Sequence, residues 1–276
     1  MKITPGQEAK LQNLKELLRS WESCAIAYSG GVDSTFLLAV AHEVLKAKCL
    51  AIIASSSTYP KREYLPAIEW LDKNGIRYES LVSEELDIPE FRDNPPQRCY
   101  YCKKELFKKV RDIADTHGIN FIADGANLDD TGDFRPGMQA AKELDVKSPL
   151  KDLGFSKDDI RQLSASVYNL PTAFRQAMAC MASRFPYGFS ITRQRLRQVE
   201  EVEDFLAAKG FKTFRARHHG DVLRIELARK DMLLAISDDL SAEIVNAAKK
   251  AGFAYVTLDL EGFRSGSMNE VLNREQ

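Results

Sequence analysis

Short apolar runs alternate with amphipathic helical stretches from Gln7 to Asp124, and this alternation restricts the fold more than any other feature of the chain. The runs Cys24-Ala25-Ile26-Ala27-Tyr28, Cys49 to Ala54, Arg77 to Val82 and Phe121 to Asp124 are expected as strands. They read mainly as apolar runs rather than alternating ones, which points to strands covered on both faces. Leu11, Leu14, Leu17, Leu18 and Trp21 recur at helical spacing and predict a helix over Gln7 to Ser23. Further helices are expected over Thr35 to Lys46, over Lys61 to Asn74 with Gly75 as a stop, and over Cys99 to His117 with Gly118 as a stop. Alternating strand and helix imply an α/β fold around a parallel sheet. Ligands in such sheets bind beyond the carboxyl ends of the strands, so function is expected after Tyr28, Ala54 and Asp124.

The rest of the chain has a different rhythm. Leu170 to Ser190 holds Pro171, Pro186 and Gly188 among Arg, Met and aromatic residues, and is expected as an ordered functional loop. Beyond it, a charged helix over Thr192 to Lys209, strands over Thr213 to Arg217 and Val222 to Leu227, a helix over Ser241 to Lys250 and a strand over Tyr255 to Leu258 make a smaller α+β domain. The expected division is therefore 1–170, a cysteine-bearing loop 171–190, and 191–276. A chain of 276 residues, 44% hydrophobic, has material for cores of this size. Its formal net charge of −1 lacks the basic field of a general nucleic-acid binder. The first seven residues lack the apolar core of a signal peptide, and no apolar run approaches a membrane span, so a cytoplasmic protein is expected. Helix faces of mixed charge are compatible with packing as a homo-oligomeric ring.

Ser29-Gly30-Gly31-Val32-Asp33-Ser34-Thr35 lies between a buried strand and a helix start. Glycines let the backbone approach an anion, and a helix N-terminus offers unpaired N–H groups with a favourable dipole. Ser29, Ser34 and Thr35 add hydroxyl donors, while Asp33 can orient the loop or help hold Mg²⁺. Neither a Walker-type phosphate motif nor a dinucleotide fingerprint occurs in the chain. A second loop, Asp124-Gly125-Ala126-Asn127-Leu128-Asp129-Asp130, follows the fourth strand, with Asp133 and Arg135 just after it. Carboxylates this dense repel unless a cation joins them, a task that Mg²⁺ bound to pyrophosphate would fill. A plain solvated turn is the competing reading.

Five cysteines occur, at 24, 49, 99, 102 and 180, an odd count that argues against a disulfide framework. Cys24 and Cys49 lie in apolar runs and are expected as small buried hydrophobes. Cys99 and Cys102 open a helix as a C-x-x-C pair, suited to redox chemistry, zinc or an iron–sulfur cluster. Cys180 would add a third thiolate, and His218 or His219 a fourth ligand. Three thiolates alone suit a [4Fe-4S] cluster with one open iron. Arg175 and Arg184 flank Cys180 and are placed to favour its thiolate, whereas Arg215 and Arg217 alternate onto one strand face where they could grip an anion.

The string from Ser29 to Ser34 resembles the pyrophosphate loop of the ATP-pyrophosphatase superfamily, which implies an adenine-nucleotide alpha-hydrolase-like domain and a base-recognition role near Ser55. That loop, N-P-P-Q-R-C-Y-Y-C-K, D-G-A-N-L-D-D, D-F-R-P-G, A-C-M-A-S-R-F-P-Y-G and R-A-R-H-H-G-D-V-L-R-I-E together resemble the ATP-dependent sulfur transferases of the nickel-pincer cofactor pathway, often called LarE. Ala173-Phe174-Arg175-Gln176 departs from the Trp-Asp-Lys-Pro-like run expected there. The resemblance implies adenylation of the carboxylates of a pyridinium dicarboxylate mononucleotide, an anionic small molecule, followed by conversion to thiocarboxylates. It implies ATP and Mg²⁺ at Ser29, Gly30, Gly31, Asp33, Ser34, Thr35, Ser55, Asp124, Asn127, Asp130, Arg135, Arg215 and Arg217, with Cys180, Asp33 and Arg184 carrying the chemistry. Sulfur would come from Cys180 itself, leaving dehydroalanine, or from a sulfide on a cluster held by Cys99, Cys102 and Cys180. Retention of all three cysteines favours the cluster. The alternatives are a tRNA thiolation enzyme, which needs a basic footprint, an amide-forming ligase, which has no need of the cysteines, and a non-catalytic nucleotide-binding module with structural zinc.

Overall fold

A computed structural model describes residues 3–132, 136–176, 179–264 and 266–271. The chain divides into two compact units, one formed by Met1–Glu85 with Gln97–Met178, the other by Leu86–Pro96 with Ala179–Gln276.

The first unit is the expected α/β domain. Its strands are β1 (Cys24–Tyr28), β2 (Cys49–Ser55), β3 (Tyr78–Val82), β4 (Phe121–Ala123) and β5 (Val146–Lys147). They run in the order β3-β2-β1-β4-β5, and every pairing is parallel. The helices are α1 (Pro5–Trp21), α2 (Val32–Leu45), α3 (Lys61–Lys73), α4 (Arg98–Thr116), α5 (Gly137–Glu143) and α6 (Lys157–Ser166). One face of the sheet packs Ile26, Cys49 and Ile53 against Leu14, Phe36, Leu71 and Ile160 of α1, α2, α3 and α6. The other packs Ala25, Leu50 and Ile122 against Phe107, Val110 and Ala141 of α4 and α5. Each large apolar side chain buried this way contributes about 1.5–3 kcal/mol. Both faces are covered, which is why the central strands read as continuous apolar runs.

Local signals set the helix starts. Thr4 and Gln7 form a reciprocal capping box ahead of α1, with Pro5 in its first turn. Ser156 and Asp159 do the same for α6. The strand order reverses at β1, whose neighbours are β2 and β4, so a crevice is expected beyond the carboxyl ends of β1 and β4.

The second unit holds α7 (Arg193–Ala208), β6 (Phe214–His219), β7 (Val222–Leu227), α8 (Asp238–Lys250) and β8 (Tyr255–Leu258). β6 and β7 are antiparallel, and β8 joins β7 in parallel. Gly220, at φ 71°, takes the left-handed conformation that the tight β6–β7 turn requires. Among the described residues no helix is long and apolar enough to cross a membrane.

His218 is part of this unit's core, 3% exposed, with ring centroids 5.0 Å from Phe253, 5.4 Å from Phe185 and 5.5 Å from Phe189. Its Nδ1 accepts from the Gly220 N–H at 3.2 Å and its Nε2 faces Gln198 Oε1 at 3.3 Å. Burial, helped by the nearby Arg195, lowers its pKa to about 4 from 6.5. The folded chain therefore refuses a proton that the unfolded chain accepts below about pH 6.5. The stability linked to this residue is complete above that pH and is lost as pH falls toward 4, by at most about 3 kcal/mol. Urea midpoints at pH 7 and pH 5 are expected to differ less in His218→Gln than in the wild type, and an equal difference would refute the assignment.

Candidate active site

The loop after β1 leads directly into α2. Gly30 has φ 65°, and a Cβ there would lie 2.8 Å from the Ala67 Cβ and 3.2 Å from the Tyr59 hydroxyl, so only glycine fits. The Ser34 hydroxyl faces the Ser29 N–H at 3.2 Å and Ser29 Oγ at 3.0 Å, which folds the loop back onto the helix start. Thr35 Oγ1 donates to the Gly31 carbonyl at 2.7 Å, and the Tyr59 hydroxyl donates to the Ser29 carbonyl at 2.8 Å. Gly31 is the N-cap residue, and no side chain caps the first turn of α2. Its N–H groups and dipole are available to an anion.

The acidic loop after β4 meets this turn. A Cβ on Gly125 would lie 2.8 Å from Ser34 N and 3.0 Å from Ser34 Cα, a backbone-to-backbone approach that no side chain allows. Asp124 Oδ1 accepts from the Ser148 hydroxyl at 2.8 Å and the Ala126 N–H at 3.2 Å. Asp130 Oδ2 accepts from the Asn127 N–H at 3.0 Å, and Asn127 Oδ1 from the Asp129 N–H at 3.0 Å. Asp33 Oδ2 is paired with the Lys157 ammonium. Burial pushes the Asp33 carboxyl above its usual range, against the pull of Lys157, and the charge of Asp130 adds to the rise.

Two buried atoms here have no hydrogen-bond partner among the described residues, Asp33 Oδ1 and Asn127 Nδ2. An acceptor and a donor left open at one meeting of loops fit a phosphate group carrying a divalent cation. Mg²⁺ commonly takes only one or two carboxylates and relies on substrate phosphates for the rest. Asp33 and Asp130 suit that arrangement.

The other expected residues of this unit are spread around the same sheet edge. The Ser55 hydroxyl donates to the Leu81 carbonyl at 3.3 Å, and Ser57 donates to Glu84 at 3.0 Å. A cavity of about 710 Å³ opens beside Gly30 and includes Tyr28, Ala67, Thr172, Phe174 and Arg175. Arg175 is ion-paired with Glu63. Arg135 and its neighbour Asp133 lie outside the described residues.

Cys24 and Cys49 are fully buried on adjacent strands, and burial pushes the Cys49 thiol up to about 12. Cys99 and Cys102 stand in the first turn of α4, the first exposed and the second half-buried. The Cys102 thiol donates to Glu85 Oε1 at 3.7 Å. Glu85 is 6% exposed, burial raises its carboxyl, and its Oε2 has no partner among the described residues. Among the described residues no three Cys, His, Asp or Glu side chains are grouped to hold a metal ion.

Cys180 belongs to the second unit and is exposed at the start of a short turn, Met181–Arg184, where its sulfur accepts from the Ala182 N–H at 3.4 Å. Arg184 is buried and bidentate on Glu203, at 2.8 and 3.0 Å, and donates to the Ala179 and Cys180 carbonyls at 2.8 and 3.2 Å. Its contact with Cys180 is thus to the backbone. Arg217 is likewise bidentate on Glu226, at 3.0 and 2.8 Å, and donates to the Ser183 carbonyl at 2.8 Å. Arg215 lies over the Phe263 ring at 5.0 Å, and burial lowers its pKa to about 10. Asn94, from the upstream segment, donates to the Pro186 and Phe189 carbonyls at 2.7 and 3.2 Å.

The residues that sequence reading missed are Lys157, Tyr59, Glu85, Glu203 and Glu226. Only Lys157 had a local signal, the capping pattern Ser156-x-x-Asp159 that opens α6.

No family model matches the chain. It is 34% identical over 270 residues to the pyridinium-3,5-bisthiocarboxylic acid mononucleotide synthase of Lactiplantibacillus plantarum, covering 97% of this chain and 96% of that protein. It is 40% identical over 267 residues to an uncharacterized protein of Synechocystis sp., covering 97% of this chain and 99% of that one. A third relative, an uncharacterized protein of Methanocaldococcus jannaschii, is 30% identical over 263 residues, with 92% and 95% covered.

The contact between Gly125 and Ser34 leads to a specific expectation. Gly125→Ala forces a methyl into backbone and should destabilise the first unit by about 1–3 kcal/mol in urea unfolding. A midpoint equal to wild type would show that the two loops are free to separate.

Proposed function

The chain belongs to the LarE family, that of pyridinium-3,5-bisthiocarboxylic acid mononucleotide synthase, and we propose that it is an ATP-dependent sulfur transferase converting the carboxylates of an anionic pyridinium mononucleotide to thiocarboxylates for a nickel-pincer cofactor. The observation that carries this reading is the meeting of the Ser29–Thr35 loop with the acidic loop at the crevice beyond β1 and β4, with one acceptor and one donor left open.

A carboxylate cannot be displaced by sulfur directly, because oxide is a poor leaving group. In this reading a substrate carboxylate oxygen attacks the α-phosphorus of ATP, and the bond to the β-phosphate breaks as pyrophosphate departs. The open N–H groups at the start of α2 and the hydroxyls of Ser29 and Ser34 hold the leaving pyrophosphate. The divalent cation that arrives with the nucleotide would be held by Asp33 and Asp130 and would neutralise the phosphate charge. A thiolate then attacks the acyl-adenylate carbonyl, and AMP leaves with the bonding electron pair.

Cys180 is the proposed nucleophile of the sacrificial route. Its thiolate forms a thioester; loss of the Cα proton then breaks the Cβ–Sγ bond, leaving the sulfur on the product and dehydroalanine in the chain. In the cluster route Cys99, Cys102 and Cys180 would hold a [4Fe-4S] cluster, which would supply a sulfide as the donor.

Incubation with ATP, Mg²⁺ and a pyridinium dicarboxylate mononucleotide is expected to release AMP and pyrophosphate. Asp33→Ala should slow that release by about 100-fold or more. Cys180→Ala should still form AMP but no thiocarboxylate, and loss of AMP formation in a folded Cys180→Ala protein would count against the role given to this residue. Iron on anaerobically purified chain separates the routes: about four atoms per chain favour the cluster, and none, with a mass loss of H₂S after one turnover, favours Cys180.

A further inference from the structure

Among the described residues, Lys157 is the cation paired with the phosphate-loop carboxylate, and its attachment is asymmetric. Its backbone is fixed: it is the first residue of α6, behind the Ser156–Asp159 capping box, and its N–H donates to Asp129 Oδ2 at 2.6 Å. Asp159 is in turn held by Lys10 at 2.7 Å and by Gln7 at 3.1 Å. The side chain is partly open to solvent, with 29% of its surface exposed against 21% for Asp33. A lysine ammonium is a compact charge on a flexible stem with three donors, so it can change acceptors without moving its backbone.

The atoms around it are half satisfied. Asp33 Oδ2 has the ammonium, while Asp33 Oδ1 and Asn127 Nδ2 have no partner among the described residues. Without Lys157 the half-buried Asp33 would stand uncompensated near Asp130, a costly arrangement unless a cation replaces it. With Lys157 in place, a free divalent cation meets a carboxylate already neutralised. A nucleotide changes the balance, because it brings both a cation for Asp33 and phosphate oxygens for the displaced ammonium.

We propose that Lys157 is a transferable counterion of the pyrophosphate site, which guards Asp33 in the empty enzyme and passes to a phosphate oxygen when the divalent cation arrives with nucleotide. The inference rests on the reading of this loop as a pyrophosphate site. In that role Lys157 also makes metal and phosphate binding mutually dependent, since neither alone offers both halves of the exchange. Sequence alone shows only a lysine one residue past a helix cap.

The test uses full-length protein, Mn²⁺ followed by its free-ion resonance, and inorganic pyrophosphate followed by calorimetry. Wild-type chain is expected to bind Mn²⁺ at this site only when pyrophosphate is present. Lys157→Gln should bind Mn²⁺ alone about tenfold more tightly than wild type and should bind pyrophosphate with Mg²⁺ about tenfold less tightly, the loss expected for one charge-assisted hydrogen bond. A lysine that only steadies α6 would lower the melting temperature and leave both affinities unchanged, which overturns the inference. Should Lys157→Gln fail to fold, the wild-type arm still decides: Mn²⁺ bound tightly without pyrophosphate, and lost in Asp33→Asn, overturns it as well. Wild-type protein that binds neither pyrophosphate nor ATP would instead defeat the reading of the site itself.

Discussion

The approach of Gly125 to the first turn of α2 is the constraint on which the proposed nucleotide site depends. Strand order reverses at β1, so the loops after β1 and β4 leave the sheet beside one another. They can approach closely only where one of them lacks a side chain. Gly125 supplies that place, with room for no Cβ between it and Ser34. From this contact the rest follows in order. Asn127 and Asp130 are set by their mutual hydrogen bonds, Asp33 projects from the helix start, and Lys157 ties Asp129 and Asp33 together from α6. A shift of a few tenths of an ångström at Gly125 would move a carboxylate relative to the N–H groups that receive an anion. Electrostatic stabilisation of a departing pyrophosphate tolerates little such movement.

The second unit solves a different problem, that of ordering a segment with almost no regular structure. Two fully buried glutamates, Glu203 on α7 and Glu226 on β7, each take a bidentate arginine, and both arginines donate onward to carbonyls of the Cys180 segment. A buried ion pair gives little net stability once desolvation is counted, but breaking one by removal of a partner costs about 3–5 kcal/mol. The pairs therefore act as fixed posts. Asn94 adds a third, at φ 56°, by donating to carbonyls between Pro186 and Phe189. Cys180 is left exposed on a backbone held from behind.

The sheet was legible because its signals are local. β1, β7 and β8 have the limits that their apolar runs indicate, and β2 differs by one residue. β5 went unseen since two residues carry no periodicity, and α6 because its sequence is largely polar. The Ser29–Thr35 loop was legible for the same reason as the sheet: glycines, hydroxyls and a carboxylate stand within seven consecutive residues. The arginines show the limit. Arg184 reads as a partner for the Cys180 thiolate and Arg217 as a group that grips an anion, yet their carboxylates lie 19 and 9 residues away in sequence, on other elements. Lys157 and Asp33 are 124 residues apart, a pairing that no motif announces.

The cysteines divide along physical lines that bear on the sulfur source. Cys24 and Cys49 are packed in the sheet at 0% exposure, and burial raises both thiols, so neither is available as a thiolate near neutral pH. Cys99 and Cys102 are the opposite case: they stand near the start of a helix, and one is open to solvent. Packing gives no reason for thiols there. A sacrificial mechanism confined to Cys180 gives none either, because that route uses one sulfur and discards the chain. Ligation does supply a reason, since residues three apart on a helix present their thiols on one face. The Cys102 thiol donates to the buried Glu85, whose other oxygen has no partner among the described residues. On the proposed reading, the Cys99–Cys102 pair in the first unit is thus the feature that argues for a sulfur carrier beyond the polypeptide.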